Sequence, residues 1–135
     1  PNVPEAMKYF EAIPDSSKSN NARGAIYYTA PEVFETDPVK LHGWGSIRKD
    51  TKKARKHLEI AAGKGNPLAN YNLGVLHLDD KDTKNFSFTK AYDQFRIAAM
   101  KGHVLASYNV GTMNYLALGT FKSCDVAQVF LSHVA

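Results

Sequence analysis

The sequence of 135 residues has few of the features that mark common functional classes. Its single cysteine, Cys124, excludes an internal disulfide framework and a zinc site built from several thiolates. No stretch approaches the roughly 20 consecutive apolar residues of a membrane helix, and no basic-then-apolar signal peptide opens the chain. We therefore predict no metal site and no direct insertion of this segment into a membrane.

Patterns of catalytic residues are also missing. The sequence has no Gly-rich phosphate loop, no paired catalytic carboxylates and no His-Glu-x-x-His motif. The five histidines include no pair spaced four apart, and we interpret them as structural or surface residues: His42, His57, His77, His103 and His133. We expect no enzymatic activity and no cofactor. A Cys124 nucleophile with a histidine base stays an alternative, because such partners meet in space rather than in sequence.

The composition is that of a folded protein, since 44% of the residues are hydrophobic and 22% are charged. The densest basic run could neutralise phosphates of a nucleic acid: Arg48, Lys49, Lys52, Lys53, Arg55 and Lys56. No aromatic residues interleave these cations as a base-stacking surface requires. We interpret the run as the solvated face of a helix whose other face is small and apolar, and we expect no nucleic-acid partner.

The chain repeats itself. Residues Ala54 to Gly74 align with residues Ala91 to Gly111 at a constant offset of 37. A third copy opens at Ala127 and a fourth at Ala6. Within each copy, small and apolar residues recur at spacings of four and three, which places them on one face of a helix.

This periodicity predicts an all-α fold of about seven helices, near 4–13, 20–29, 51–64, 67–78, 88–101, 104–117 and 124–135. Gly65 and Gly102 follow helix ends where a positive φ closes the last turn. Gly74 and Gly111 stand inside helices, where glycine costs up to about 1 kcal/mol relative to alanine. We predict that close approach of a partner helix offsets this cost at both glycines, and that Gly74, Ala61 and Ala62 present small surfaces at equivalent points of one crossing.

We predict one helical-repeat segment over residues 1–135. Residues 1–30 form a divergent repeat, residues 31–46 an inserted loop rich in Pro and Gly, and residues 47–135 the well-matched repeats. The sequence begins at Pro1 without an initiator Met, and a helical pattern still runs at Ala135. We therefore expect the chain to be a piece of a longer protein.

The repeat units resemble Sel-one-like repeats, relatives of the tetratricopeptide repeat. The residues that carry this signature are Ala54, Ala61, Ala62, Gly65, Gly74, Ala91, Phe95, Ala98, Ala99, Gly102 and Gly111. The family's first-helix Tyr is present at Tyr27 but is replaced by His77 and Asn114 in the next two copies. The resemblance implies an α-solenoid of antiparallel helix pairs and a role as a protein-binding scaffold.

The C-terminal third resembles a narrower group. The C-terminal repeats of endoplasmic-reticulum degradation adaptors of the Sel-one-L and Hrd-three type are similar to residues 101–109, Met113, residues 119–124, Ala127, Phe130 and Val134. This resemblance implies a non-catalytic adaptor in the endoplasmic reticulum lumen, with a membrane ubiquitin ligase and misfolded clients as partners. The alternative is a cytoplasmic or secreted scaffold for signalling, and the sequence leaves open a homodimer.

Two first helices carry a further apolar stripe, and we take these stripes as candidate partner-binding residues: Tyr71, Val75 and Leu78, then Tyr108, Thr112 and Tyr115. Spacings of four and three place each trio on one helical face. The alternative is that they pack neighbouring repeats together. Separately, Asn85-Phe86-Ser87 is a glycosylation sequon, which makes Asn85 a candidate for modification.

Overall fold

The structure is a computed structural model that describes residues 2–13, 16–79 and 81–134. Every regular element in these ranges is a helix, so the predicted all-α fold is confirmed. The helices are α1 (Val3–Glu11), α2 (Ser17–Thr29), α3 (Pro38–Leu41), α4 (Thr51–Gly63), α5 (Pro67–His77), α6 (Phe88–Met100), α7 (Val104–Leu116) and α8 (Cys124–Ser132).

The described residues contain eight helices rather than about seven. The additional helix, α3, is a single turn inside the region predicted as an inserted loop. It forms because the Asp37 side chain accepts a hydrogen bond from the Val39 N–H, 2.9 Å away, with Pro38 in the first turn. The other seven helices begin and end within three residues of their predicted positions. The predicted last residue of the final helix, Ala135, lies outside the described residues.

Small polar side chains and glycines set the helix ends. Side-chain oxygens of five residues accept the exposed N–H of a first helical turn: Asn2, Ser16, Asp50, Ser87 and Ser123. Beyond α4 and α6, Gly65 and Gly102 adopt φ values of 85° and 90°. This confirms the prediction that a positive φ closes those two helices.

The chain divides into two compact units, Pro1–Asn66 and Pro67–Ala135. In the first unit α2 and α4 pack together in opposite directions. The Tyr27 carbonyl accepts a hydrogen bond from the Asp50 N–H, near the end of α2 and the start of α4. Asn20 Oδ1 lies beside His57 Nδ1, and the Asn66 side chain donates to the Ser17 carbonyl at the other end of the pair. Ala54, Leu58 and Ala61 are fully buried in this pairing. The first unit therefore has an antiparallel helix pair as its centre.

In the second unit α5, α6, α7 and α8 pack in sequence, each against the next. The core is formed by eight buried residues of α6 and α7: Ala91, Tyr92, Phe95, Ala98, Ala99, Ala106, Val110 and Met113. One hydrogen bond joins each successive pair: the Asn70 side chain donates to Gln94, the Asn114 side chain donates to the Tyr92 hydroxyl, and the Ser123 N–H donates to the Asn114 carbonyl.

A buried glycine lies at the crossing of three helix pairs. A methyl group on Gly24 would lie 2.6 Å from Leu58, one on Gly74 2.5 Å from Phe95, and one on Gly111 2.5 Å from Leu131. Three pairs thus share one construction, in which a large side chain of the second helix lies on a glycine of the first.

The prediction that Gly74 lies at a close helix crossing is confirmed, but the residues assigned to that crossing were wrong. Sequence reasoning grouped Gly74 with Ala61 and Ala62 of α4, but the side chain that lies against Gly74 is Phe95 of α6. Ala61 is buried within the α2–α4 pair, and Ala62 is only half-buried. Gly74 therefore makes room for the aromatic ring of Phe95 and does not pack against another small residue.

Candidate partner-binding surface

The α5 stripe lies inside its own unit. Tyr71, Val75 and Leu78 are half-buried and pack against the core of the second unit. The Tyr71 ring centroid is 5.6 Å from that of Phe95 and 4.5 Å from that of His103, which stacks on it at 20°. Because the α5 trio already contacts other residues of its own unit, we interpret it as part of the packing between repeats.

The α7 stripe has a different environment. Tyr108 is 52% exposed and Tyr115 is 57% exposed, while Thr112 between them is half-buried. The opposite side of α7 carries the buried residues Val110 and Met113. The structure therefore separates the two trios that the sequence pattern could not distinguish.

Three further apolar residues extend this exposed stripe, and sequence reasoning missed them. Val104, Leu105 and Leu116 are each more than half exposed. Val104 and Leu105 lie four and three residues before Tyr108, and Leu116 lies four residues after Thr112, which places them on the same side of the helix. We refer to the six residues as the α7 face: Val104, Leu105, Tyr108, Thr112, Tyr115 and Leu116.

Neighbouring groups fix both ends of the α7 face. At the start, the His103 Nδ1 atom accepts a bond of 3.2 Å from the Ala106 N–H and caps the helix. At the end, the Lys122 ammonium lies 5.6 Å from the centroid of the Tyr115 ring, close enough for a cation–π contact. The face is a continuous apolar ridge on a well-anchored helix, which suits contact with another apolar surface.

The basic run of the first unit has aromatic neighbours in the structure. Lys53 lies 5.3 Å from the Tyr27 ring centroid, and Lys49 lies 4.5 Å from that of Tyr28. Two aromatic rings thus lie beside these cations in the structure, although no aromatic residue interleaves them in the sequence. The rings come from α2, far away along the sequence, so inspection of the run itself could not reveal them.

His57 lies at the centre of this region. Its Nδ1 atom is 3.0 Å from Asn20 Oδ1, and its ring stacks on Tyr27 at a centroid distance of 6.0 Å and an angle of 8°. Burial lowers the pKa of His57 below its usual value, and the positive charges of nearby Arg23, Lys56 and Lys53 lower the pKa further. The neutral imidazole is thus favoured in the folded protein.

The glycosylation candidate is on the connection between α5 and α6. The half-buried Asn85 side chain donates from Nδ2 to both carboxylate oxygens of Asp82, each 3.0 Å away. Ser87, the third sequon residue, caps α6 by accepting from the Lys90 N–H at 3.1 Å. Modification of Asn85 stays a prediction.

Cys124 is exposed in the first turn of α8, directly after the Ser123 cap. Across residues 2–13, 16–79 and 81–134, the structure brings no histidine within hydrogen-bond distance of this thiol. The same ranges contain no group of three or more His, Cys, Asp or Glu side chains placed to hold a metal ion. Among the helices described, none has the length and apolar character to cross a membrane.

Comparison with known proteins gives a result at the level of structure. No protein-family model matches the sequence, and no curated protein matches it. The chain is similar to a Sel1 repeat protein from Oxalobacter formigenes, with a TM-score of 0.72 and 20% identity over 96% of this chain and 87% of that chain. It is also similar to a protective antigen of uropathogenic Escherichia coli strains that displays an SLR fold, with a TM-score of 0.75 and 18% identity over 96% of this chain and 25% of that chain. The predicted fold class is thereby confirmed, and the chain has the α-solenoid fold of these Sel1 repeat structures.

Proposed function

We propose that this chain is a non-catalytic scaffold that binds other proteins and that the α7 face contacts a partner. The observation that carries the proposal is the exposure of Tyr108 and Tyr115 on a helix with a packed opposite side. Tyrosine combines a large apolar area with a hydroxyl group and is enriched among the residues that dominate binding energy at interfaces. Exposed apolar residues that form one contiguous ridge commonly mark an interaction site.

The shape of the face indicates the kind of partner. Its residues recur at helical spacing along the whole of α7, so the complementary surface is an elongated apolar one, such as one side of a helix. Stacked repeats bury such ridges against each other, and a partner helix can use the same contacts.

We further propose that the setting is the endoplasmic reticulum lumen, within a degradation complex built around a membrane ubiquitin ligase. Two features support this finer role. The residues from Lys101 onward resemble the C-terminal repeats of adaptors from that pathway, and a sequon occupies an interhelical connection at Asn85. Misfolded lumenal proteins would then be the second class of partner.

The test is affinity purification of the full-length protein from its own cells, with wild type compared to Tyr108→Ala and Tyr115→Ala. Tyr9→Ala is the matched control, because Tyr9 is an exposed tyrosine of the first unit. Loss of a partner from both α7 variants, with helical content and melting temperature unchanged, would support the proposed surface. Retention of every partner by both variants would refute it.

The identity of the partner tests the finer role separately. Recovery of a membrane ubiquitin ligase supports the lumenal adaptor, whereas recovery of cytoplasmic proteins alone refutes that setting and leaves the scaffold intact. Recovery only of differently tagged copies of the chain identifies the α7 face as a homodimer interface.

A further inference from the structure

The α7 face copies the α5 stripe position by position. Each of its three central residues stands 37 positions after a residue of the α5 stripe, and 37 is the offset that relates the two repeat copies. The equivalent pairs are Tyr71 and Tyr108, Val75 and Thr112, and Leu78 and Tyr115. The ring of Tyr71 thus has a ring of the same kind at Tyr108, on the same side of its helix.

The helix behind each stripe is equivalent too. Phe95 of α6 lies against Gly74 of α5, and Leu131 of α8 lies against Gly111 of α7. A methyl group on either glycine would lie 2.5 Å from the large side chain that faces it. Both stripes therefore have the same kind of support, and the contacts of the α5 stripe indicate what the α7 face can accept.

Two rings from later elements contact Tyr71. The His103 imidazole stacks on the Tyr71 ring at a centroid distance of 4.5 Å and an interplanar angle of 20°, and the Phe95 ring is tilted against it at 5.6 Å. Ring pairs of this kind are favourable at centroid separations of about 4.5 to 7 Å. Tyr71 is consequently half-buried, although the equivalent Tyr108 is 52% exposed.

A hydrogen bond holds the His103 ring in place. Its Nδ1 atom accepts from the Ala106 N–H at 3.2 Å, so the imidazole caps α7 and at the same time presents its face to Tyr71. The accepting nitrogen carries no proton, and the stacked ring is therefore neutral. A helix that begins with such a residue delivers a planar ring whose orientation is set before contact.

Tyr108 has no corresponding contact in the described part of the chain. No ring stacks on it there and no cation lies over it, whereas the Lys122 ammonium lies over the ring of Tyr115. The Tyr108 ring offers an apolar face together with a hydroxyl group that can donate and accept hydrogen bonds. Comparison with the α5 stripe therefore points to Tyr108 as the place where a partner contributes a ring.

We propose that the partner of the α7 face is a helix that begins with a histidine, and that its imidazole stacks on Tyr108 as His103 stacks on Tyr71. Tyr108 then determines specificity because it selects the ring, whereas Tyr115 supplies apolar area. A Ser, Asp or Asn cap would begin the helix equally well but would offer no ring. This inference rests on the proposed function for the source of the helix, which is another protein.

The probe for this contact is a helix-stabilised synthetic peptide that copies residues 103–117, because α7 begins with the required histidine cap. Its matched control has Asn in place of the histidine and so retains a good helix cap without the ring. Each peptide is titrated into the isotopically labelled full chain and followed by NMR. We expect the histidine peptide to bind about twofold to tenfold more tightly and to shift the Tyr108 ring protons upfield through its ring current.

Three variants locate the contact. Tyr108→Phe keeps the ring and should retain the preference for the histidine peptide, whereas Tyr108→Leu keeps apolar area and should abolish that preference. Tyr115→Leu makes the same change at the other exposed tyrosine of α7 and should lower the affinity for both peptides alike. This double-mutant cycle separates ring stacking from loss of apolar area. Circular dichroism and thermal unfolding check that all three variants are folded.

Several outcomes would overturn the proposal. They are absence of binding, equal affinity of the two peptides, a preference that survives Tyr108→Leu, and a Tyr108 ring already shielded in the full-length protein by a second copy or by its own chain. Failure of the ring contact alone is recognised if Tyr108→Ala and Tyr115→Ala still release a partner in the affinity purification. The scaffold function and the α7 face would then stand without the histidine.

Discussion

Gly111 and Leu131 lie in direct contact where α7 crosses α8. A methyl group on Gly111 would lie 2.5 Å from Leu131 Cγ and 3.3 Å from the Ala127 carbonyl oxygen. The backbone carbonyl limits how far α8 can yield, so the glycine permits a helix separation that a larger residue would prevent.

We therefore expect Gly111→Leu to lower the free energy of unfolding by about 1 to 3 kcal/mol or more, through overpacking against Leu131 and α8. Gly63→Leu is the matched control, since no described side chain or distant backbone atom lies within 4 Å of a methyl group at Gly63. Denaturant unfolding monitored by circular dichroism measures both. A rise in melting temperature for Gly111→Leu would mean that helix propensity outweighs packing and that the crossing is wrong.

The helix boundaries could be predicted because their signals are local. Apolar spacing, a capping side chain such as Ser87 and a positive-φ glycine such as Gly102 all act within a few residues. The residue that lies on each buried glycine could not be predicted in the same way, because Phe95 and Leu131 come from the following helix. The sequence analysis did not single out Gly24. Its position three residues before Tyr27 matches that of Gly74 three residues before His77, so this spacing could have identified it.

The exposed fraction of a stripe is likewise not a local property. Tyr71 and Tyr108 occupy equivalent repeat positions with the same helical spacing. Tyr71 is covered by His103 and Phe95 from later elements, whereas Tyr108 remains open. Only the arrangement of neighbouring helices decides which stripe is available to a partner.

These environments predict that replacement of tyrosine by alanine affects stability differently at the two positions. Tyr71→Ala should destabilise the fold by about 1 to 3 kcal/mol, somewhat less than loss of a fully buried aromatic ring. Tyr108→Ala should change stability by no more than about 0.5 kcal/mol, as is usual for surface positions. Chemical denaturation of both variants under identical conditions measures the difference. Equal destabilisation would indicate that Tyr108 is buried in solution.

One departure from the Sel-one-like repeat pattern also has a spatial explanation. Where the family places a tyrosine in the first helix, this chain has Asn114, whose Nδ2 group donates to the Tyr92 hydroxyl at 2.9 Å. Tyr92 is 8% exposed and Asn114 is 2% exposed. A tyrosine of α6 thus lies against the position that lacks one, and its hydroxyl satisfies a buried amide. Comparison with the repeat pattern reveals the substitution but not the side chain that contacts it.

Acidification should lower the stability of the second unit, because His103 gains a proton. Burial lowers the pKa of this histidine, and its Nδ1 lone pair caps α7, so the folded state favours the neutral ring. The unfolded chain takes up the proton more readily, so stability is fully present above about pH 6.5 and falls as the pH drops below that value. His57 changes stability in the same direction, because its pKa is also lowered.

The measurement is thermal unfolding at several values between about pH 5.5 and 7.5, a window above the usual range of carboxylates. His103→Asn keeps a capping oxygen and removes the titrating group, so its stability should vary less with pH than that of wild type. His103→Ala should lose about 0.5 to 2 kcal/mol even at the upper end, where the cap is intact in wild type. An identical pH profile for wild type and His103→Asn would contradict this role.

Glycosylation of Asn85 tests the proposed lumenal setting, and the structure supplies a cleaner control than removal of the asparagine. Expressed through a secretory route, the chain should gain a glycan mass at Asn85 that Asn85→Gln abolishes, but this change also removes the bond to Asp82. Ser87→Asp destroys the sequon while retaining Asn85 and a good helix cap for α6, and Ser87→Thr preserves both sequon and cap. Mass spectrometry should therefore find the glycan in wild type and Ser87→Thr and not in Ser87→Asp, with all three equally folded. An unmodified wild-type chain would count against the endoplasmic reticulum lumen, and it would leave the helix pairs and the α7 face unaffected, because neither depends on the sequon.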